Sequence, residues 1–184
     1  GPASLRYGSQ AIGGVVSVDN NRIPLADTPD GLSGWAASAF TSADLGREGS
    51  VGFNVRQNSV AIHADAFTRV TNDYRIPGGV QKNSAQQVQG GAVGGTYFFD
   101  GGYFGMALTQ TNALYHIPGI EPAKINNRIN LNQTKLLGKG EYRPDSAMID
   151  AIRLWFGATN YKHDEKGYSA DDGRDGVRAT FRNR

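Results

Sequence analysis

The chain has 184 residues, with 19 Lys or Arg against 17 Asp or Glu. The net charge of +2 is too small to argue for nucleic acid or for an anionic membrane surface. There is no Cys, which excludes a disulfide framework and thiol chemistry, and no run of about 18 apolar residues, which excludes a transmembrane helix.

The opening stretch, "GPASLRYGSQAIGGVVSV", reads as a packed β element with no charged leader or apolar signal core before it. Gly8, Gly13 and Gly14 permit positive φ and close backbone approach, and Ile12, Val15, Val16 and Val18 are expected to form a short strand. A phosphate-binding loop is excluded because no Gly-Lys-Ser/Thr follows. A dinucleotide fingerprint is excluded because no helical periodicity opens after the glycines.

From there alternation dominates, and three-to-four spacing is nearly missing. "SGWAASAFTSA" is the first strand candidate. In "REGSVGFNVRQ", Val51, Phe53 and Val55 share one face against Asn54 and Arg56. In "SVAIHADAFTRV", Val60, Ile62, Ala64 and Ala66 oppose His63, Asp65, Phe67 and Arg69. "VQGGAVGGTYFFD", "GYFGMALTQTN" and "RINLNQTKLLGKGEYR" follow. In "MIDAIRLWFGATNYKHDE", Ile152, Leu154, Phe156 and Ala158 oppose Arg153, Trp155 and Thr159, and "GVRATFRNR" is the last candidate.

The connections carry as much information as the strands. After a modest turn at "DLGRE", short "QNS", "DGG" and "RPDS" alternate with long "TNDYRIPGGVQKNSAQQ", "ALYHIPGIEPAKINN" and "HDEKGYSADDGRD". An up-and-down meander puts alternate connections at the same end, so one end is trimmed and the other elaborated. Outer-membrane β-barrels are built this way, and several candidates exceed about 10 residues, enough to cross a bilayer when tilted. Aromatics gather at strand ends, with Tyr97, Phe98, Phe99 and Tyr103 around "DGG" and Tyr142 before "RPDS". A soluble β-sandwich also alternates and is the competing architecture.

Few residues invite chemistry. His63 and Asp65 share a strand face with no motif-placed nucleophile, and read as a polar wall together with Arg69, Lys139, Glu141 and Arg143. His116 lies in one long connection, and His163, Asp164 and Glu165 lie together in another; imidazole with carboxylate suits zinc or a similar divalent ion. Neither an HxH nor an HxxxH spacing is present, and the alternative is a solvated acidic loop. Asp171, Asp172 and Asp175 do not meet EF-hand spacing. Ile76-Pro77-Gly78 and Ile117-Pro118-Gly119 repeat in two successive long connections, where Pro-Gly predicts a type II turn and a loop folded back on itself. Tyr74 and Tyr115 precede these turns and are placed either to pack at the strand ends or to touch a ligand, as is His116.

Gly1, Pro2, Ala3, Ser4, Leu5, Tyr7, Gly8, Ala11, Ile12, Gly13, Gly14, Val15 and Val16, followed by "NNRIP", closely resemble the end of the plug domain in TonB-dependent outer-membrane receptors. "HADAFTRVTNDYRIPG", "LYHIPGIE", "RINLNQTKLLGKGEYR", "TNYKHDEKG" and "VRATFRNR" resemble early barrel strands and loops of a subgroup that includes zinc and siderophore receptors. The resemblance implies a fragment: residues 1–24 as the C-terminal end of a plug, and 25–184 as about eight strands of a barrel of some 22. It implies short turns in the periplasm, long loops outside, and no catalysis.

The implied fold class is all-β, an antiparallel transmembrane β-barrel segment in a bacterial outer membrane. The implied function is energised uptake of a metal, siderophore or similar scarce nutrient. Its implied partners are outer-membrane lipid, the TonB complex through a part of the receptor outside this chain, and a small-molecule or metal ligand. No resident cofactor and no nucleic acid are expected; a transported metal or metal chelate is. The other functional readings are a complete small outer-membrane barrel with a structural or adhesive role, and a soluble β-sandwich binding module.

Overall fold

A computed structural model of the chain describes residues 21–119, 123–169, 171 and 173–183. Alternating sequence becomes strand throughout: β1 (Gly31–Thr41), β2 (Gly46–Gln57), β3 (Val60–Thr71), β4 (Arg75–Ile76), β5 (Gly79–Val80), β6 (Gln86–Phe99), β7 (Gly102–His116), β8 (Arg128–Tyr142), β9 (Ile152–Ser169) and β10 (Arg174–Asn183). Eight of them make one antiparallel sheet in the order β1-β2-β3-β6-β7-β8-β9-β10, and β4 and β5 form a small separate hairpin. Each large strand pairs with its neighbour in the chain, as an up-and-down meander requires. β1 and β10 are the two edges, so the described residues form an open sheet and not a closed barrel. The expected plug strand and its glycines, Gly8, Gly13 and Gly14, lie outside the described residues.

Register sorts the side chains onto two unlike faces. Phe53 pairs with Ala64, Ala64 with Val93, Val93 with Leu108, Leu108 with Leu136, and Leu136 with Ala158. That row, and the apolar residues two positions above and below it, point to one side, which we call the bare face. Ile62 is 54 % exposed there, Val93 58 % and Leu154 54 %. The other side, the covered face, carries residues 21–30. Its side chains are small or polar where that segment crosses: Ala61, His63, Ala92, Thr96, Ala107 and Thr109 are all buried. The facing expected for Val51, Phe53 and Val55, for Val60 to Ala66, and for Ile152 to Ala158 is the facing observed.

The connections differ from expectation at two places. The turn expected at "RPDS" is the longer connection 143–151, because pairing of β8 with β9 starts only at Tyr142 and Ile152. Pro144 has no N–H to give a ladder, and Met148 donates its own N–H to the hydroxyl of Ser146, so the apolar Met148 and Ile149 stay in the connection. Conversely, most of the long loop expected at "HDEKGYSADDGRD" is strand. β9 runs to Ser169, and β10 pairs back against it from Arg174, with a bulge between Val177 and Ala179. Backbone ladders need no apolar side chains, so a polar segment continues the sheet past the end of its apolar band. Among the described residues no helix is long and apolar enough to cross a membrane.

Candidate functional site

The covered face presents two clusters, one under the incoming segment and one toward the long connections. The first is built on β2, β3 and β6. Arg22 donates Nε and Nη2 to the two carboxylate oxygens of Asp65, at 2.8 and 2.9 Å. His63 lies beside them, its Nε2 3.0 Å from Asp65 Oδ2 and its Nδ1 2.8 Å from Asn54 Oδ1. Thr96 donates its hydroxyl to the carbonyl of Pro24 at 2.7 Å, a buried bond around the fully buried Pro24. Arg56 donates to the carbonyls of Ala26 and Thr28 and stacks its guanidinium 4.7 Å over the ring of Phe98. Three strands therefore hold the chain just before β1.

Glycine makes this approach feasible. A Cβ on Gly94 would strike the carbonyl of Arg22, and one on Gly105 would strike the Ile23 side chain and the Thr96 hydroxyl. These two positions form a shallow track along which the segment lies flat on the sheet. His63 and Asp65, read from sequence as part of a polar wall, share the covered face, where Asp65 binds Arg22 and His63 in turn bonds to Asp65.

The second cluster follows from three rows of the sheet. One row aligns Tyr115, Ile129 and Glu165; the next aligns Ala113, Leu131, His163 and Phe181; the third aligns Thr111, Gln133, Tyr161 and Asn183. Tyr161 and His163 are hydrogen-bonded through the phenol oxygen and Nδ1 at 2.7 Å. The His163 ring stacks on Phe181 at 4.6 Å and 29° and meets Tyr161 edge-on at 5.5 Å. Glu165 Oε1 is 4.0 Å from His163 Nε2. The result is a half-buried wall of rings with a phenol, an imidazole and a carboxylate at its rim. Such a wall can stack a planar group and hydrogen-bond its edge.

The structure thus joins some of the sequence-predicted residues and separates others. Tyr115, His163 and Glu165 share the covered face. Asp164, one residue on, points to the bare face, where it accepts from Thr180 Oγ1 at 2.6 Å and from Lys162 Nζ at 2.9 Å. His116 also falls on the bare-face parity, opposite Arg128 at the end of β7. Strand alternation therefore divides the four ligands that a loop would have been free to gather. Among the described residues no group of three His, Asp or Glu side chains stands close enough to hold a metal ion. Sequence reasoning misses Tyr161 and Phe181 as members of this wall, because a polar run hides the pairing of β9 with β10. Period-two spacing from His163 to Tyr161 is the available signal.

Tyr74 sits in the connection 72–85, its side chain 39 % exposed and its N–H given to Ser84 Oγ at 3.1 Å. That connection folds back as expected: Arg75 pairs with Val80 and Ile76 with Gly79, with Gly78 at φ 86° after Pro77. It is tied to the connection 117–127 by Asn83, whose side-chain amide donates to the carbonyls of Ile117 at 2.7 Å and Asn127 at 2.8 Å. Asp73 organises the return by accepting the N–H groups of Asn83, Ser84 and Ala85 at 3.2, 2.7 and 2.9 Å. Burial pushes the Asp73 carboxyl up, but those hydrogen bonds outweigh it and leave the group below the ordinary aspartate value. No family model matches the chain.

Proposed function

We propose that this chain is a wall segment of an outer-membrane transport barrel of the TonB-dependent receptor kind, serving energised uptake of a metal, a siderophore or a similar scarce nutrient. The observation that carries the reading is the inverted sidedness of the sheet. Large apolar side chains fill the face that no described residue covers, including Leu32 at 75 %, Phe53 at 52 %, Leu108 at 49 % and Ile152 at 53 % exposure. Where residues 21–30 lie on the other face, its side chains are mostly small or polar, among them Ala61, His63, Asp65, Ala92, Thr96, Ala107 and Thr109, while Trp35 and Trp155 stand exposed elsewhere on that face. A soluble monomer rarely exposes a contiguous apolar patch beyond a few hundred Å², whereas lipid is the natural cover for a strand-built wall.

A soluble sandwich needs a second sheet to cover such a face. Among the described residues the only other sheet is the four-residue β4–β5 hairpin. The aromatic side chains at the short-turn end fit a membrane-interface girdle: Tyr97 and Phe99 stack at 6.3 Å, and Phe99 and Tyr142 lie 6.2 Å apart, all on the bare face. In this reading residues 21–24 are the last of the plug, held against the wall through Arg22 and Pro24, and the Tyr115–Tyr161–His163–Phe181 wall faces the ligand path. No covalent chemistry is assigned to it.

The test is the native polypeptide. An antibody raised to residues 163–175 is expected to detect a species several times heavier than 19.7 kDa in outer-membrane fractions. A native species of 19.7 kDa in the soluble fraction would overturn the reading.

A further inference from the structure

We propose that the bare face carries, above its apolar band, a binding surface for phosphate-bearing lipid headgroups on the side of the long connections. The proposal rests on the membrane reading and specifies what lies at one edge of the lipid. The net charge of +2 does not reveal it, because it says nothing of the four cations, Arg128, Lys162, Lys166 and Arg182, that share one face of three strands.

On β9 the bare face runs Ile152, Leu154, Phe156 and Ala158, then changes to Asn160, Lys162, Asp164 and Lys166. At about 3.4 Å per residue and a tilt of about 40°, the step from position 152 to position 162 climbs roughly 26 Å. An apolar band of a β-barrel is about 25 Å tall. Lys162 therefore reaches the far interface when Ile152 sits at the near one, and Lys166 rises beyond it. Register sets Arg128 beside Lys166 and Arg182 beside Lys162 on the same face.

Two carboxylates share this patch, and both are occupied. Asp164 takes Lys162 and Thr180, and Asp175 takes Arg128 through two bonds of 3.1 and 2.8 Å. Once those pairs are counted, Lys166 and Arg182 remain as surplus positive charge. Asn130, Asn132 and Thr134 of β8 share the face and complete a polar, cation-rich zone continuous with the apolar one. A phosphate headgroup matches that zone in charge, and its acyl chains match the band beneath.

The native polypeptide that carries this chain is reconstituted into phosphatidylcholine vesicles and into vesicles of phosphatidylcholine mixed with phosphatidic acid. Flotation reports membrane association, and native mass spectrometry after detergent extraction counts retained lipid, with inorganic phosphate as competitor. The expected result is flotation with both lipids, preferential retention of phosphatidic acid, and no displacement by inorganic phosphate. Lys166→Gln with Arg182→Gln is expected to weaken that retention about fivefold per charge. A control pair away from the patch, Lys82→Gln with Lys135→Gln, is expected to leave it unchanged. Flotation with equal retention of the two lipids, or equal loss in both variants, overturns the headgroup surface and leaves the membrane reading standing. Failure to float with either lipid overturns both.

Discussion

Arg22 and Asp65 are 43 residues apart in the chain and meet through a two-pronged ion pair of 2.8 and 2.9 Å. The pair is partly buried, with side-chain exposures of 21 % and 12 %, so neither charge can return cheaply to water once its partner is gone. Its position decides its effect. Arg22 precedes β1 and Asp65 lies mid-strand on β3, so the bond fixes where the chain enters the sheet and not how the sheet pairs.

Replacing Asp65 by Ala should therefore free the segment before β1 while sparing the ladder. Arg22 and His63 both lose an acceptor, at a cost of about 1–3 kcal/mol. Amide exchange over residues 21–28 is expected to accelerate by roughly tenfold, while amides of β7 and β8 keep their protection. Unchanged exchange at 21–28 would show that Thr96 and Arg56 hold the segment alone.

Steric access at the glycine track gives an independent check. Gly94→Ala puts a methyl group into the Arg22 carbonyl, whereas Gly95→Ala on the opposite face meets nothing closer than 3.6 Å. We expect Gly94→Ala to loosen the segment in the same exchange measurement and Gly95→Ala to leave it alone. Equal behaviour of the two variants would mean that the segment does not lie on this track.

How far the sequence reaches can be judged on β3 and β9. On β3 the alternation of Val60, Ile62 and Ala64 with Ala61, His63 and Asp65 is legible because one face is uniformly apolar while the other carries the charged and polar residues, and a one-residue slip would invert every side chain. On β9 the same alternation continues past Ala158, but both faces turn polar, so period two loses its contrast and the strand resembles a loop. The candidate site suffers most. His163, Asp164 and Glu165 look like one cluster when read as a flexible loop, and become two faces when read as a strand. The grip of Asp65 on Arg22 leaves no local signal at all, since it is a contact between distant segments.

Asn83 links two long connections through one side chain. It is 8 % exposed, stands at φ 62°, and donates to both Ile117 and Asn127. Asn83→Gly keeps access to the left-handed backbone but removes both donors, so it separates the bond from the conformation. Limited proteolysis within 117–127 is expected to rise several-fold in Asn83→Gly, as the Ile117 and Asn127 carbonyls each lose a side-chain donor. Asn83→Asp should be at least as disruptive, because it sets a carboxylate against two acceptors. Resistance equal to wild type in Asn83→Gly would show that the Ile117 N–H to Asn127 carbonyl bond, at 3.0 Å, suffices.

Asp73 adds a pH dependence to the same loop pair. Burial raises its folded carboxyl, but the three backbone N–H groups it accepts more than offset this, and it titrates below the ordinary value of 3.8. A lowered folded value means that the unfolded loop binds the proton more tightly than the folded one does. The contribution of Asp73 is then complete above the unfolded value near 3.8 and is lost as pH falls through the lower folded value. Proteolysis of 72–85 by an acid-active protease should accordingly stay flat down to about pH 4 and rise below it. In Asp73→Asn the neutral amide is a weaker acceptor, so cleavage should be faster at neutral pH and should lack that acid-induced rise. The two pH profiles then converge in acid, where the protonated carboxyl of Asp73 and the amide of the variant offer the loop similar hydrogen bonding. A wild-type profile parallel to that of Asp73→Asn across the whole range would remove the carboxylate from any part in ordering the loop.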